Sequence, residues 1–127
     1  MAHLLLVDDN TQLLDLYKMV LELAGHHVLT ADTCGAAVKL LHQTGPEIVV
    51  MDLRMPDMED GLSLIRSVKD HMPDGRAAPA RVVVMSGWVE DLTDTPERAH
   101  VDRVLSKPVR IEVLLQAISD LLPVSPP

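Results

Sequence analysis

Residues 48–52 read Ile-Val-Val-Met-Asp, four apolar side chains that end on a carboxylate. A run this short, apolar throughout and rich in β-branched residues predicts a strand buried on both faces, as found inside a parallel sheet. Three more segments share the form. Residues 3–7 (His-Leu-Leu-Leu-Val) lead into Asp8 and Asp9, residues 81–85 (Arg-Val-Val-Val-Met) into Ser86, and residues 101–105 toward Lys107-Pro108. In an open α/β sheet the carboxyl ends of the strands share one edge, and ligands bind there. Three carboxylates, a hydroxyl and an ammonium are thereby expected on a single patch.

Helix-period segments separate these strands. Asp8 to Thr11 supplies turn and capping chemistry. Leu13, Leu16, Tyr17, Val20, Leu21 and Ala24 then recur at spacings of three and four, one apolar helix face, with Gly25 ending it. A short strand is expected at 28–31 and a helix at 34–42, stopped by Gly45-Pro46. After Asp52 a Pro-containing loop, 54–61, precedes a helix carrying Leu62, Ile65 and Val68 and ending near 72–75. The stretch 87–100 is polar and interrupted by Pro96, which predicts a short, poorly packed helix and an order–disorder change as its response to a group bound at the strand-edge site. Ile111, Leu114, Leu115, Ile118, Leu121 and Leu122 mark the last helix, and 123–127 reads as a Pro-rich tail. Five strand–helix repeats with right-handed crossovers and a reversal of strand order predict a doubly wound, three-layer α/β/α domain over residues 1–122.

A chain of 127 residues, 47% apolar and 24% charged, fits one globular domain. It has no apolar stretch near the ~20 residues of a membrane span and no signal-peptide pattern at its N-terminus. One cysteine, Cys34, permits no internal disulfide, which suits a cytoplasmic protein. A net charge of −8 counts against direct nucleic-acid binding. The six histidines are scattered without metal-ligand spacing.

Two carboxylates ~4 Å apart repel by about 4 kcal/mol at an effective dielectric near 20. Asp8, Asp9 and Asp52 on one edge therefore call for a cation, and oxygen-only ligands in a shallow site select Mg²⁺. Open coordination positions then suit phosphate oxygens. Lys107 would supply a mobile positive charge, Ser86 a hydrogen bond, and Gly87 room for approach. Asp52, on the middle strand, is placed as nucleophile in a phosphoryl transfer, with Asp8 and Asp9 as metal ligands.

This constellation resembles the receiver domain of bacterial two-component response regulators. The resemblance rests on Asp8-Asp9, on Asp52 followed by Met55-Pro56 and Gly61, on Ser86, and on Lys107-Pro108, and it spans essentially the whole chain. It implies a flavodoxin-like fold with strand order 2-1-3-4-5 and phosphoryl transfer onto Asp52 from a histidine of a sensor kinase or histidine phosphotransfer protein. It further implies Mg²⁺ bound by Asp9, Asp52 and the backbone carbonyl of Arg54, with Asp8 assisting. Arg54, Gly87 and Trp88 would flank the phosphoryl group, and the Lys107–Pro108 peptide would be cis. The chain also departs from the family pattern. The position that usually holds a switching Tyr or Phe is Val104, the residue after the lysine–proline pair is Val109 rather than Phe, and the loop 57–61 is one residue longer.

Two other function classes use similar residues. An aspartate-nucleophile phosphatase of the haloacid dehalogenase type needs a second Asp two positions after the nucleophile, and here that position is Arg54. A phosphorylation-independent adaptor is suggested by Val104 and the weak segment 87–100. The leading reading is of a phosphoaccepting switching module rather than a turnover enzyme.

Overall fold

The computed structural model describes residues 2–55, 57–72 and 78–122; Pro56, much of the turn expected at 72–75 and the tail 123–127 lie outside them. Five strands, β1 (His3–Val7), β2 (His27–Ala31), β3 (Ile48–Asp52), β4 (Arg81–Ser86) and β5 (Arg103–Ser106), form one sheet. All neighbouring pairs are parallel, in the order 2-1-3-4-5. Helices α1 (Thr11–Leu23), α2 (Cys34–Thr44), α3 (Met58–Asp70) and α4 (Ile111–Leu121) cover it.

Alternation along the strands builds two cores. Leu5, Val7, Val49, Met51, Val82 and Val84 face α2 and α3. Leu4, Leu6, Ile48, Val50, Val83 and Met85 face α1 and α4. A strand buried on both sides must be apolar at every position, and β3 is buried from Ile48 through Asp52.

The helix ends follow local chemistry. Asn10 and Thr33 cap α1 and α2 through side-chain oxygens that accept the Leu13 and Ala36 N–H groups. Gly45 ends α2 in a left-handed conformation, φ 56°.

Four expectations need correction. In α1 the buried face is Leu14, Tyr17 and Leu21, while Leu16 is 44% exposed and Ala24 lies outside the helix. Two adjacent apolar stripes compete there, and packing selects the one containing Leu14. Helix α3 starts at Met58, inside the expected loop, because Asp57 Oδ1 accepts the Asp60 N–H at 3.1 Å and caps it. Strand β5 starts at Arg103 rather than Val101, since Asp102 is engaged with Lys69, Arg81 and the Val82 N–H.

The fourth correction concerns 87–100, which forms two 3₁₀ turns, Val89–Leu92 and Pro96–His100. The expected weak helix is thus shorter still, yet the segment is packed. Leu92 is fully buried, and buried Glu97 meets Arg66 of α3 at 3.2 Å.

Candidate functional site

Sheet register sets the order of the site. Val7 pairs with Met51, so Asp8 and Asp52 leave neighbouring strands side by side. Asp52 pairs with Met85, and Ser86 with Ser106, so the hydroxyl and the lysine follow in turn along the edge. The Lys107 N–H donates to the Ser86 carbonyl at 2.8 Å, and the Lys107–Pro108 peptide is cis. The Lys107 ammonium reaches back across β4 to Asp52 Oδ2, 2.8 Å away.

Asp8, Asp9 and Asp52 each offer an oxygen within 4.8 Å of the others. Asp8 is buried; its Oδ1 accepts the Asn10 N–H at 2.9 Å, while Oδ2 has no hydrogen-bond partner among the described residues. Burial pushes the Asp8 carboxyl above the usual range, and the charges of Asp52 and Asp9 add to it, against the Asn10 N–H and Lys107. A buried carboxylate oxygen without a donor beside two further carboxylates fits a hard divalent cation, and the donor set is oxygen only. Among the described residues this is the one acidic or histidine cluster with such geometry.

A glycine fixes the carboxylate end of β3. A Cβ on Gly61 would collide with the Leu53 carbonyl, so the first turn of α3 packs directly on the backbone that follows Asp52. By contrast, a Cβ on Gly87 would meet nothing within 4 Å. Open space stands beside Ser86, but packing does not demand a glycine there.

Ser86 is buried, yet its hydroxyl is turned into its own loop. It donates to the Trp88 carbonyl at 2.9 Å and accepts the Trp88 N–H at 3.1 Å. Trp88 is itself 65% exposed at the rim. The Arg54 guanidinium forks onto Asp91, with both carboxylate oxygens accepting at 3.0–3.2 Å.

The structure thus gathers Asp8, Asp9, Asp52 and Lys107 and sets Ser86 on the adjoining strand end. Two residues went unnoticed in the sequence. Asp91 sits in a segment without periodicity, so nothing marked it. Tyr17 donates from its hydroxyl to the Val109 carbonyl at 3.4 Å, tying α1 to the chain after Pro108; burial, then Asp8, pushes its hydroxyl up. In the sequence it counted only as one member of an apolar stripe.

The family model described as "Response regulator receiver domain" matches residues 4–119. The chain is 34% identical over 126 residues to the transcriptional regulatory protein GlrR of Escherichia coli, covering 99% of this chain and 27% of that protein. It is 32% identical to the protein PilH of Pseudomonas aeruginosa, covering 96% of this chain and 98% of PilH. It therefore spans about a quarter of one curated relative and nearly all of another. Among solved structures, the response regulator TrrA of Thermotoga maritima in complex with Mg²⁺-BeF superposes with a TM-score of 0.81 at 22% identity, covering 96% of this chain and 100% of that one. At that identity the likeness is one of fold. The chain belongs to the response regulator receiver domain family of two-component systems.

Proposed function

We propose that Asp52 accepts a phosphoryl group from the phosphohistidine of a sensor kinase or a histidine phosphotransfer protein. An Asp52 carboxylate oxygen attacks phosphorus, the P–N bond breaks, and the imidazole leaves with the bonding electron pair. Asp8, Asp9, Asp52 and the Arg54 carbonyl would hold Mg²⁺, which supplies charge neutralisation between carboxylates and phosphoryl oxygens. Lys107 stabilises a second oxygen once the phosphoryl group displaces it from Asp52. Ser86 reaches a third after giving up its bonds to Trp88.

The observation that carries this reading is the setting of Asp52, which has two carboxylates on one side and an ammonium at 2.8 Å on the other. The site belongs to a Mg²⁺-dependent switch within a cytoplasmic phosphorelay, with the receiver unit over residues 1–122 and 123–127 a Pro-rich tail. Its other contacts are with output proteins rather than nucleic acid or membrane. Among the described residues, no helix is long and apolar enough to cross a membrane.

Incubation with acetyl phosphate and Mg²⁺ tests the proposal. Wild type should acquire an acid- and base-labile phosphate, and Asp52→Asn none. Equal labelling of the two would refute the assignment. An adaptor that works without phosphorylation is the second reading, favoured by half-buried Val104, an aliphatic side chain where the switching ring would stand. Absence of labelling in wild type, with partner binding intact, would select it.

A further inference from the structure

The rim of the site carries an ion pair that the phosphoryl chemistry above does not use. Arg54 follows Asp52 by two positions, while Asp91 lies in the Val89–Leu92 turn beyond β4. Their contact is a fork: Nε and Nη2 of Arg54 donate to the two Asp91 oxygens at 3.0–3.2 Å. The Asp91 N–H donates to the Trp88 carbonyl at 3.0 Å, and that same carbonyl accepts the Ser86 hydroxyl. One run of contacts therefore joins the segment after the acceptor strand to the hydroxyl that must turn.

We infer that Asp91 is a positioning residue: it holds the Arg54 guanidinium aside in the resting domain, and a phosphoryl group on Asp52 draws that guanidinium away, freeing the Val89–Leu92 turn. This rests on the reading of Asp52 as phosphoacceptor. A guanidinium prefers bidentate oxyanions, and a phosphoryl group carries more negative charge and more acceptor oxygens than a single carboxylate. The exchange is eased because the arginine is open to water, with 52% of its side chain exposed, while Asp91, at 16%, stays largely covered. A resident pair of this kind opposes phosphoryl binding by no more than about fivefold.

The test uses the whole chain in Mg²⁺ with beryllofluoride as phosphoryl mimic. Asp91→Ala should tighten beryllofluoride binding about two- to fivefold, the range of a partly exposed pair. On an Arg54→Ala background the same change should do nothing, and Arg54→Ala alone should weaken binding. Hydrogen exchange supplies a readout independent of affinity. Amides 89–92 should exchange faster in Asp91→Ala alone and in wild type with the mimic.

Equal tightening on both backgrounds would show that Asp91 acts merely as a nearby negative charge, and unchanged affinity with Arg54 present would also overturn the inference. Should Asp91→Ala fold poorly, Arg54→Lys keeps the charge and loses the fork. It should bind the mimic at least as tightly as wild type, and weakening to the Arg54→Ala level would overturn the inference. If folded wild type takes up no beryllofluoride, the phosphoacceptor reading itself falls, and this inference with it.

Discussion

Asp52 and Ser86 end neighbouring strands at the same edge of the sheet, yet they are held by different means. Asp52 closes a strand buried at every position, and behind it Gly61 lets α3 rest on the Leu53 carbonyl. Ser86 opens onto two 3₁₀ turns held by one buried leucine and two ion pairs, Arg54–Asp91 and Arg66–Glu97, and then onto a half-exposed β5. In both pairs the arginine is about half-exposed, which limits the stabilisation to about 1 kcal/mol each, whereas displacing close-packed backbone costs several. The acid side is thus suited to hold charge in fixed geometry, and the hydroxyl side to rearrange at low cost.

The comparison is hardest on Gly61. If the acid side is fixed by backbone contact, Gly61→Ala should destabilise the domain by about 3 kcal/mol, since neither α3 nor the strand end can yield cheaply. Labelling of Asp52 should fall with it. A variant that melts like wild type would show that the acid side is as pliable as the other.

Asp8→Asn comes next. The unpartnered, buried Asp8 Oδ2 is a cost in the metal-free domain, and an amide can donate to the carboxylates around it. Removing that charge should raise metal-free stability by about 1 to 2 kcal/mol. Wild type should melt higher in millimolar Mg²⁺, as linkage requires, and Asp8→Asn should lose most of that response. Scanning calorimetry with and without Mg²⁺ measures both. A metal-free Asp8→Asn that melts lower than wild type would mean that the carboxylate has an unseen partner.

On the other side, Glu97→Gln should cost about 1 kcal/mol or less, because Arg66 keeps Glu59 as a second partner at 2.9 Å. The effect should be local, with faster hydrogen exchange at 96–101 and little change in β1 or β3. Global loosening would erase the contrast between the two sides.

Legibility in the sequence followed the same division. Strands β1, β3 and β4 are continuous apolar runs that need no partner to be recognised, so the acids and the hydroxyl at their ends are legible in the sequence alone. The phase of α1 was not legible, because Leu13, Leu14, Leu16, Tyr17, Val20 and Leu21 support two overlapping stripes and only tertiary packing chooses between them. The pairing of Arg54 with Asp91, 37 residues apart, leaves no periodic trace. Nor does a hydroxyl's rotamer, so the inward turn of Ser86 could be seen only in the folded chain.

That rotamer yields the smallest effect. In the resting domain the Ser86 hydroxyl already makes two hydrogen bonds with Trp88, one as donor and one as acceptor. Reaching a phosphoryl oxygen exchanges those bonds for one to a charged acceptor, so the net gain is a difference between similar quantities. Lys107 faces a different exchange, passing its ammonium from a carboxylate at 2.8 Å to a phosphoryl oxygen of higher charge. Beryllofluoride affinity should therefore fall less in Ser86→Ala than in Lys107→Ala. Because Ser86 gives up two bonds for one, its expected loss is up to about fivefold, against on the order of tenfold or more for Lys107. Titration of the two variants in Mg²⁺ decides the ranking. A larger loss from Ser86→Ala would mean that the hydroxyl side binds the phosphoryl group more firmly than it binds itself, and the contrast drawn between the two strand ends would reverse.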